Sequence, residues 1–277
     1  MLNYDYLLTI PRKKGEMMKL ATYNIWNEHK GTGNRFAQII HEIEHTDADV
    51  IGLQEVTPCF YQNYISQNTF YDYTIYHKYT NEEEGLAILS KYPITKSCFL
   101  QNKPEYRYSA ALHVMIQMNS MRLSLMNLHL PWNSALQKEQ QIISIDQYMH
   151  ECSKEADASI LLGDFNGSIE SSIHRYLLGE QTLNGQEANP YWYELFSTFA
   201  AIHGLPLKPT LDFRGNPRWN GKNTTEIPYA ADRIYVMYNR GKDILTSADL
   251  FGTEISEETH LSASDHYGVA AEIVFLK

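Results

Sequence analysis

Apolar runs of strand length recur along this chain, and many of them end in a side chain able to carry chemistry. Residues 160–168, Ile-Leu-Leu-Gly-Asp-Phe-Asn-Gly-Ser, show the plan most fully. The aliphatic run stops at Gly163, and strand side chains alternate, so Asp164 and Asn166 share one side while Phe165 turns back to anchor the strand end in the core. The same residues also compose a strand running into an Asp/Asn/Gly turn. Residues 19–25 read as a strand with Asn24 near its end, and residues 49–56 as a second strand with Glu55 at its end. A carboxylate among apolar neighbours is costly unless paired or metal-bound, and a salt bridge would serve Glu55 as well as a cation would. Short strands follow at 71–76, 85–90, 94–100, 109–117 and 122–129, punctuated by Pro93 and Pro104, and the last of them ends at His129. Asp232 opens a strand over 233–237, and the polar loop 262–266, Ser-Ala-Ser-Asp-His, precedes a closing strand over 268–276.

Helical periodicity fills the gaps between these runs. Asn34 is placed to cap a helix whose Phe36, Ile39, Ile40 and Ile43 fall on one face. Ser134 and Gln137 form a capping-box pattern ahead of a helix carrying Ile142, Ile145, Met149 and Cys152 on one side. That helix leads into the Asp164 strand, which makes a strand–helix–strand unit and predicts helices covering the outside of sheets. Residues 170–178 and 191–203 also read as helices, the second dense in aromatics. Residues 208–229 are polar and aperiodic, and read as a long functional loop.

The chain has 277 residues with no linker-like run or internal repeat, which predicts one domain over residues 17–277. Residues 1–16 are set apart as an extension, with the start expected at Met17 or Met18. The stretch Lys13-Lys14-Gly15-Glu16-Met17 is what a purine-rich ribosome-binding site and start codon would spell if translated, an ordinary extra strand or tail being the alternative. No apolar stretch reaches the length of a membrane span. The cysteines Cys59, Cys98 and Cys152 show no metal-ligand spacing and no even count for pairing, which points to the cytoplasm. A formal net charge of −10 weakens long-range attraction to polyanions, so nucleic acid is a disfavoured partner.

Collected, the polar strand ends are Asn24, Glu55, His129, Asp164, Asn166, Asp232, Asp265 and His266, with no nucleophilic Ser or Cys standing among them. Oxygen donors without thiolates suit a hard cation, Mg²⁺ or Mn²⁺, and the set suits metal-assisted hydrolysis of a phosphoester. Six motifs in this order, Thr-Tyr-Asn24-Ile, Leu-Gln-Glu55-Val, Asn-Leu-His129-Leu, Leu-Gly-Asp164-Phe-Asn166, Asp232-Arg-Ile-Tyr and Ser-Asp265-His266, resemble the endonuclease/exonuclease/phosphatase superfamily from about residue 19 to residue 275. That superfamily includes pancreatic deoxyribonuclease, abasic-site endonucleases, neutral sphingomyelinases and inositol polyphosphate 5-phosphatases.

The resemblance implies an α/β four-layered sandwich, two mixed sheets packed face to face with helices outside. It also implies roles. Glu55 is the principal metal ligand, with Asn24 and Asp265 beside the cation, and Asp164 orients or deprotonates the attacking water. Asn166 holds the phosphate or the nucleophile, and His266, paired with Asp232, contacts the scissile phosphate. His129 protonates the leaving oxygen, with Glu84 orienting it; abasic-site endonucleases carry Tyr at this position, which argues against that activity. In the polar loop, Arg214 and Trp219 are candidate substrate contacts. The expected activity is that of a Mg²⁺- or Mn²⁺-dependent phosphoesterase acting on a small or lipid-derived phosphoester, with a DNA or RNA nuclease and a catalytically inactive binding module as alternatives.

Overall fold

The structure is a computed structural model, and it describes residues 15–27, 35–80, 82–101, 109–219, 225–239 and 243–276. Residues 1–14, Asn34, Pro104 and Lys222 lie outside these, and with them most of the extension and the first helix's expected cap.

Two six-stranded sheets hold the chain. Sheet I contains β1 (Gly15–Asn24), β2 (Val50–Val56), β3 (Tyr73–Lys78), β4 (Gly85–Ser90), β11 (Asp243–Phe251) and β12 (Gly268–Leu276), in the order β11-β12-β1-β2-β4-β3. Sheet II contains β5 (Ile94–Leu100), β6 (Ala110–Met118), β7 (Met121–His129), β8 (Ala158–Asp164), β9 (Trp192–Glu194) and β10 (Asp232–Met237), in the order β5-β6-β7-β8-β10-β9. Each sheet contains one parallel pair joined by an outer helix. The helix α1 (Phe36–Thr46) connects β1 to β2, and α3 (Ala135–Ser153) connects β7 to β8. Shorter helices are α2 (Pro58–Phe60), running on into a π-helical turn at Tyr61–Ile65, α4 (Ser172–Leu177) and α5 (Leu195–His203).

Strand alternation sorts the apolar side chains into layers. Leu20, Val50, Leu125, Ile160 and Leu162 face the space between the sheets, while Ile51 and Leu53 pack under α1 with Ile39 and Ile43. On the other outer side, Met126, Leu128 and Leu161 pack under α3 with Ile142, Ile145 and Met149. Helix, sheet, sheet and helix therefore form four layers, as the resemblance implied. Ser134 Oγ accepts from Gln137 N at 3.2 Å and starts α3 where the capping pattern placed it.

Buried Asn127 links the two sheets. Asn127 of β7 donates to Leu53 O and Ala87 O of sheet I, both at 2.9 Å, and accepts from Gln54 Nε2 at 2.7 Å. Close approach at this point requires Gly52, whose Cβ would lie 2.2 Å from Leu162 Cδ1.

Several sequence expectations shift. The first strand begins at Gly15, paired with Leu276, so residues 15 and 16 of the stretch set apart as an extension are strand. Arg35 occupies the residue before α1 and makes no side-chain cap there. The helix expected over 191–203 begins as β9, because Glu194 turns its carboxylate onto Phe196 N and Ser197 N and starts the helix only at Leu195. The helix expected over 170–178 is shortened to α4. Strand β11 had no counterpart in the sequence reading. Among the described residues no helix is long and apolar enough to cross a membrane.

Candidate functional site

The ranks of side chains facing the inter-sheet space change from apolar to polar at one edge. In β1 they run Leu20, Thr22, Asn24; in β7 Leu125, Asn127, His129; in β8 Ile160, Leu162, Asp164; and in β10 Val236, Ile234, Asp232. Register completes the gathering, since Asp164 lies opposite His129 in β7 and opposite Asp232 in β10. Strand β12 runs antiparallel to β1, so the loop before it delivers Asp265 and His266 to the same edge.

Glu55 reaches the site by a different route. Plain alternation would send it with Ile51 and Leu53 to the α1 side of sheet I. Instead its backbone is left-handed (φ 59°) at an irregularity in the β2–β4 pairing, and its Oε1 accepts from Asn24 Nδ2 at 3.1 Å. Asn166 is also left-handed (φ 46°). Two such residues at one site represent local strain held by the surrounding fold. Gly163 has φ 143°, and a Cβ there would meet Leu128 O at 1.9 Å, so only glycine lets β8 pass β7 and present Asp164.

Asp164, 1% exposed, is the hub. Its Oδ1 accepts from Asn166 N at 2.8 Å, and its Oδ2 accepts from Asn24 Nδ2 at 3.0 Å and Asn166 Nδ2 at 3.3 Å. His129 Nε2 and His266 Nε2 stand 3.6 and 3.9 Å from the same oxygen. His266 Nδ1 meets Asp232 Oδ2 at 2.9 Å. Burial opposes charge on His266, but the Asp232 and Asp164 carboxylates outweigh it and raise its pKa well above the usual imidazole value. Burial likewise raises Asp232, with His266 pulling the other way.

The Nδ1 of His129 lies 3.1 Å from the hydroxyl of buried Tyr79, a partner the sequence reading missed. Glu84, expected to orient His129, instead accepts a hydrogen bond from Asn27 Nδ2 while lining the same cleft. Arg35 was also missed. Its guanidinium donates to Ile25 O, Trp26 O, Asn27 O and Ala263 O, tying the end of β1 to the loop that carries Asp265.

Above the hub lies a cleft of about 480 Å³ lined by Glu55, Glu84, His129, Asp164, Asn166, Glu226, Asp265 and His266 on its polar side, and by Trp26, Trp132, Leu211, Phe213, Trp219 and Tyr229 on its apolar side. Trp219 fixes its Nε1–H on Asp265 O at 2.9 Å. Arg214 is not among the lining residues; its guanidinium donates to Glu226 O. Asn24 turns its nitrogen to the carboxylates, because its Oδ1 accepts from Trp26 N at 2.9 Å. Donor atoms of Asp164, Asp232 and His266 lie within 4.8 Å of one another. A protonated His266 between two carboxylates accounts for that cluster without a cation, and Glu55 and Asp265 line the cleft beside it.

A sequence profile of the Endonuclease/Exonuclease/phosphatase family matches residues 21–266. No curated protein compared with the chain matches it significantly. Among solved structures, a truncated TDP2 from Caenorhabditis elegans superposes with a TM-score of 0.73 at 17% identity, covering 94% of this chain and 98% of that one. TDP2 from D. rerio, complexed with single strand DNA product, gives 0.72 at 17%, over 93% and 98%. ANGEL2, a 2',3'-cyclic phosphatase, gives 0.71 at 17%, over 94% and 95%. At such identities these likenesses show a shared fold. The profile match spans most of the chain, which therefore belongs to the endonuclease/exonuclease/phosphatase family.

Proposed function

We propose that the protein hydrolyses a phosphoric ester with the help of Mg²⁺ or Mn²⁺. The observation that carries this reading is the surrounding of Asp164 by Asn24, Asn166, His129 and His266 at the floor of a cleft into which Glu55 and Asp265 open. The cleft's polar lining offers carboxylate, amide and imidazole groups and no thiolate, which fits a hard cation held by Glu55 and Asp265 with Asn24 bracing the first of them. Such an ion, when bound, polarises a phosphoryl oxygen and neutralises charge that develops on it.

The chain's own groups supply the rest. Asp164 orients the attacking water and takes its proton, with Asn24 and Asn166 fixing the carboxylate's direction. His266, kept charged by Asp232, offers its Nε2–H to the phosphoryl group as charge accumulates there. His129, oriented by Tyr79, gives a proton to the leaving oxygen.

The favoured substrate is a small or lipid-derived phosphoester. Supporting this are the net charge of −10 and the aromatic wall, together with the use of Arg35 and Arg218 on backbone carbonyls. A second reading, cleavage at a nucleic-acid end, has support in the likeness to TDP2 with its single strand DNA product and in Trp132, 71% exposed on the cleft wall, where a base could stack. The free cysteines and the absence of a membrane-crossing helix among the described residues fit a cytoplasmic location.

The test has two stages. Hydrolysis of bis-p-nitrophenyl phosphate is measured with Mg²⁺ or Mn²⁺, with and without chelator. Plasmid DNA, an abasic-site duplex, sphingomyelin and inositol phosphates are then compared at physiological salt. Turnover of a small ester with weak salt dependence is expected. Efficient plasmid nicking with a steep salt dependence overturns the substrate reading, and inactivity on every ester overturns the enzyme in favour of a binding module.

A further inference from the structure

The hydrogen bonds of Asn166 decide which of its polar groups the cleft can use. Its Nδ2 carries two hydrogens, and both have buried acceptors, Leu130 O at 2.9 Å and Asp164 Oδ2 at 3.3 Å. Since both partners accept, the amide cannot be turned over without losing them. The backbone N–H goes to Asp164 Oδ1 at 2.8 Å. What remains for the cleft that Asn166 lines is Oδ1, an acceptor. An acceptor repels a phosphate oxygen and receives a water proton, so of the two roles implied for Asn166 this geometry favours holding the nucleophile.

The carbonyl of the same residue is held from behind. Lys138, near the start of α3, donates from Nζ to Asn166 O at 2.6 Å. Its backbone N closes the first turn of the helix on Ser134 O at 3.0 Å, so the side chain rises from a fixed point. The next carbonyl, Gly167 O, receives Arg233 Nη2 at 3.4 Å. Lys138 is half-buried and does not line the cleft, and burial lowers its pKa while Asp164 pulls the other way. An amine that gives up hydration in this way must be compensated by what it binds, and what it binds is the peptide of a left-handed residue, φ 46°, a conformation that persists only where the surroundings enforce it.

We infer that Lys138 is a positioning residue for the attacking water: by gripping Asn166 O it locks the left-handed turn that sets Asn166 Oδ1 beside the Asp164 carboxylate. The inference rests on the reading of Asp164 as the group that takes the water's proton. One O–H of the water then points to Asp164 and the other to Asn166 Oδ1, which turns an oxygen lone pair toward phosphorus. The grip reaches the other side of the reaction as well, because Asn166 Nδ2 on Leu130 O ties down the peptide that follows His129.

The test measures kcat and KM on bis-p-nitrophenyl phosphate with Mg²⁺ for the full-length wild type, Lys138→Met, Lys138→Arg, Asn166→Ala and the double variant Lys138→Met/Asn166→Ala. Lys138→Met keeps the apolar stem and loses the donor; it is expected to lower kcat by about 10- to 100-fold with KM little changed, and Lys138→Arg to recover part of the loss. In the Asn166→Ala background Lys138→Met is expected to cost no further kcat, since no Oδ1 is left to aim, whereas a lysine that only anchors α3 costs the same in both backgrounds. Hydrogen exchange of the metal-free protein reads the grip without turnover: residues 164–171 are expected to exchange faster in Lys138→Met than in the wild type. Lys138→Gln, whose shorter side chain falls short of Asn166 O, repeats the measurements should Lys138→Met not fold. The proposal is overturned if kcat stays at the wild-type value, if the full loss persists in the Asn166→Ala background, or if exchange over residues 164–171 is unchanged. A wild type inactive on every ester overturns the phosphoesterase reading and with it the role toward water, whereas unchanged exchange in an active enzyme overturns the grip alone.

Discussion

Asn24 Nδ2 lies 3.0 Å from Asp164 Oδ2, so the end of a sheet I strand is bonded to the hub carboxylate of sheet II. The same nitrogen serves Glu55 at 3.1 Å. One amide therefore holds carboxylates whose charges repel each other, and it does so with its oxygen already committed to Trp26 N. Asn24→Asp replaces the shared donor with a third negative charge. The metal-free variant is expected to lose about 2–4 kcal/mol of stability, with Mg²⁺ restoring part of it. Chemical denaturation with and without Mg²⁺ checks this, and equal loss in both conditions would contradict cation binding beside Asn24.

Asp164→Ala is expected to lower turnover by roughly 10²–10⁴-fold while the far-ultraviolet circular dichroism stays that of the wild type. The side chain accepts hydrogen bonds but fills no core position that a methyl leaves open to collapse, because it stands at the floor of the cleft. Near wild-type rates would refute its role on the attacking water.

His129→Ala should slow esters with basic leaving groups far more than nitrophenyl esters, since only the former need a proton in the transition state. Tyr79→Phe should show a weaker version of the same pattern, because it removes the hydroxyl that orients the ring. An equal loss on both ester types would move His129 from proton delivery to phosphate binding.

Gly163→Ala is expected to destabilise the protein by roughly 2–4 kcal/mol, read as a fall in Tm, and to reduce activity in whatever folded protein remains. The added methyl meets Leu128 O at 1.9 Å in a backbone with φ 143°, so β8 must move away from β7 and carry Asp164 with it. A stable variant with full activity would show that the close strand approach is dispensable.

Stability should fall on both sides of neutrality through different histidines. Burial lowers His174, hydrogen-bonded to Tyr235 at 2.6 Å, to about 3, and lowers His113 to about 4. The unfolded chain therefore binds more protons below the ordinary imidazole pKa near 6.5. Each group's contribution is complete above that value and declines as pH falls toward 3 to 4, by about 1.4 kcal/mol per unit per histidine. Asp146, 3.1 Å away, is the main cause raising His150 to about 9, so its contribution is complete below about 6.5 and is lost as pH rises through about 9. Denaturation curves across pH check both limbs. His174→Gln should flatten the acid limb, and an unchanged slope would show that His174 is protonated in the native state.

The strand-end pattern was legible because side-chain alternation is a local property: Asp164, Phe165 and Asn166 take the faces that period two assigns them, with Phe165 1% exposed. Helices α1 and α3 were legible for the same reason, from the spacing of Ile39 and Ile43 and of Ile142, Ile145 and Met149. Glu55 was legible as a polar strand end, but its route to the site was not, because alternation sends it to the wrong face and only a left-handed backbone corrects this. Tyr79, Arg35 and Asn127 work through partners distant in sequence, up to the 228 positions between Arg35 and Ala263, which no local window spans. Strand β11 escaped notice because it is a half-exposed sheet edge with a register shift between Leu245 and Ser247, and its polar and apolar residues do not alternate cleanly.

The pairing of β1 with β12 joins the first described strand to the last, Gly15 opposite Leu276, and sets Asp265 and His266 just ahead of that final strand. A ribosome makes these segments at opposite ends of its work on the described chain. Until β12 emerges, β1 has no neighbour on one side and β11 is separated from the rest of sheet I. A nascent chain therefore carries Glu55, His129 and Asp164 without the residues that complete the cleft, so the whole set comes together only as synthesis of this region ends.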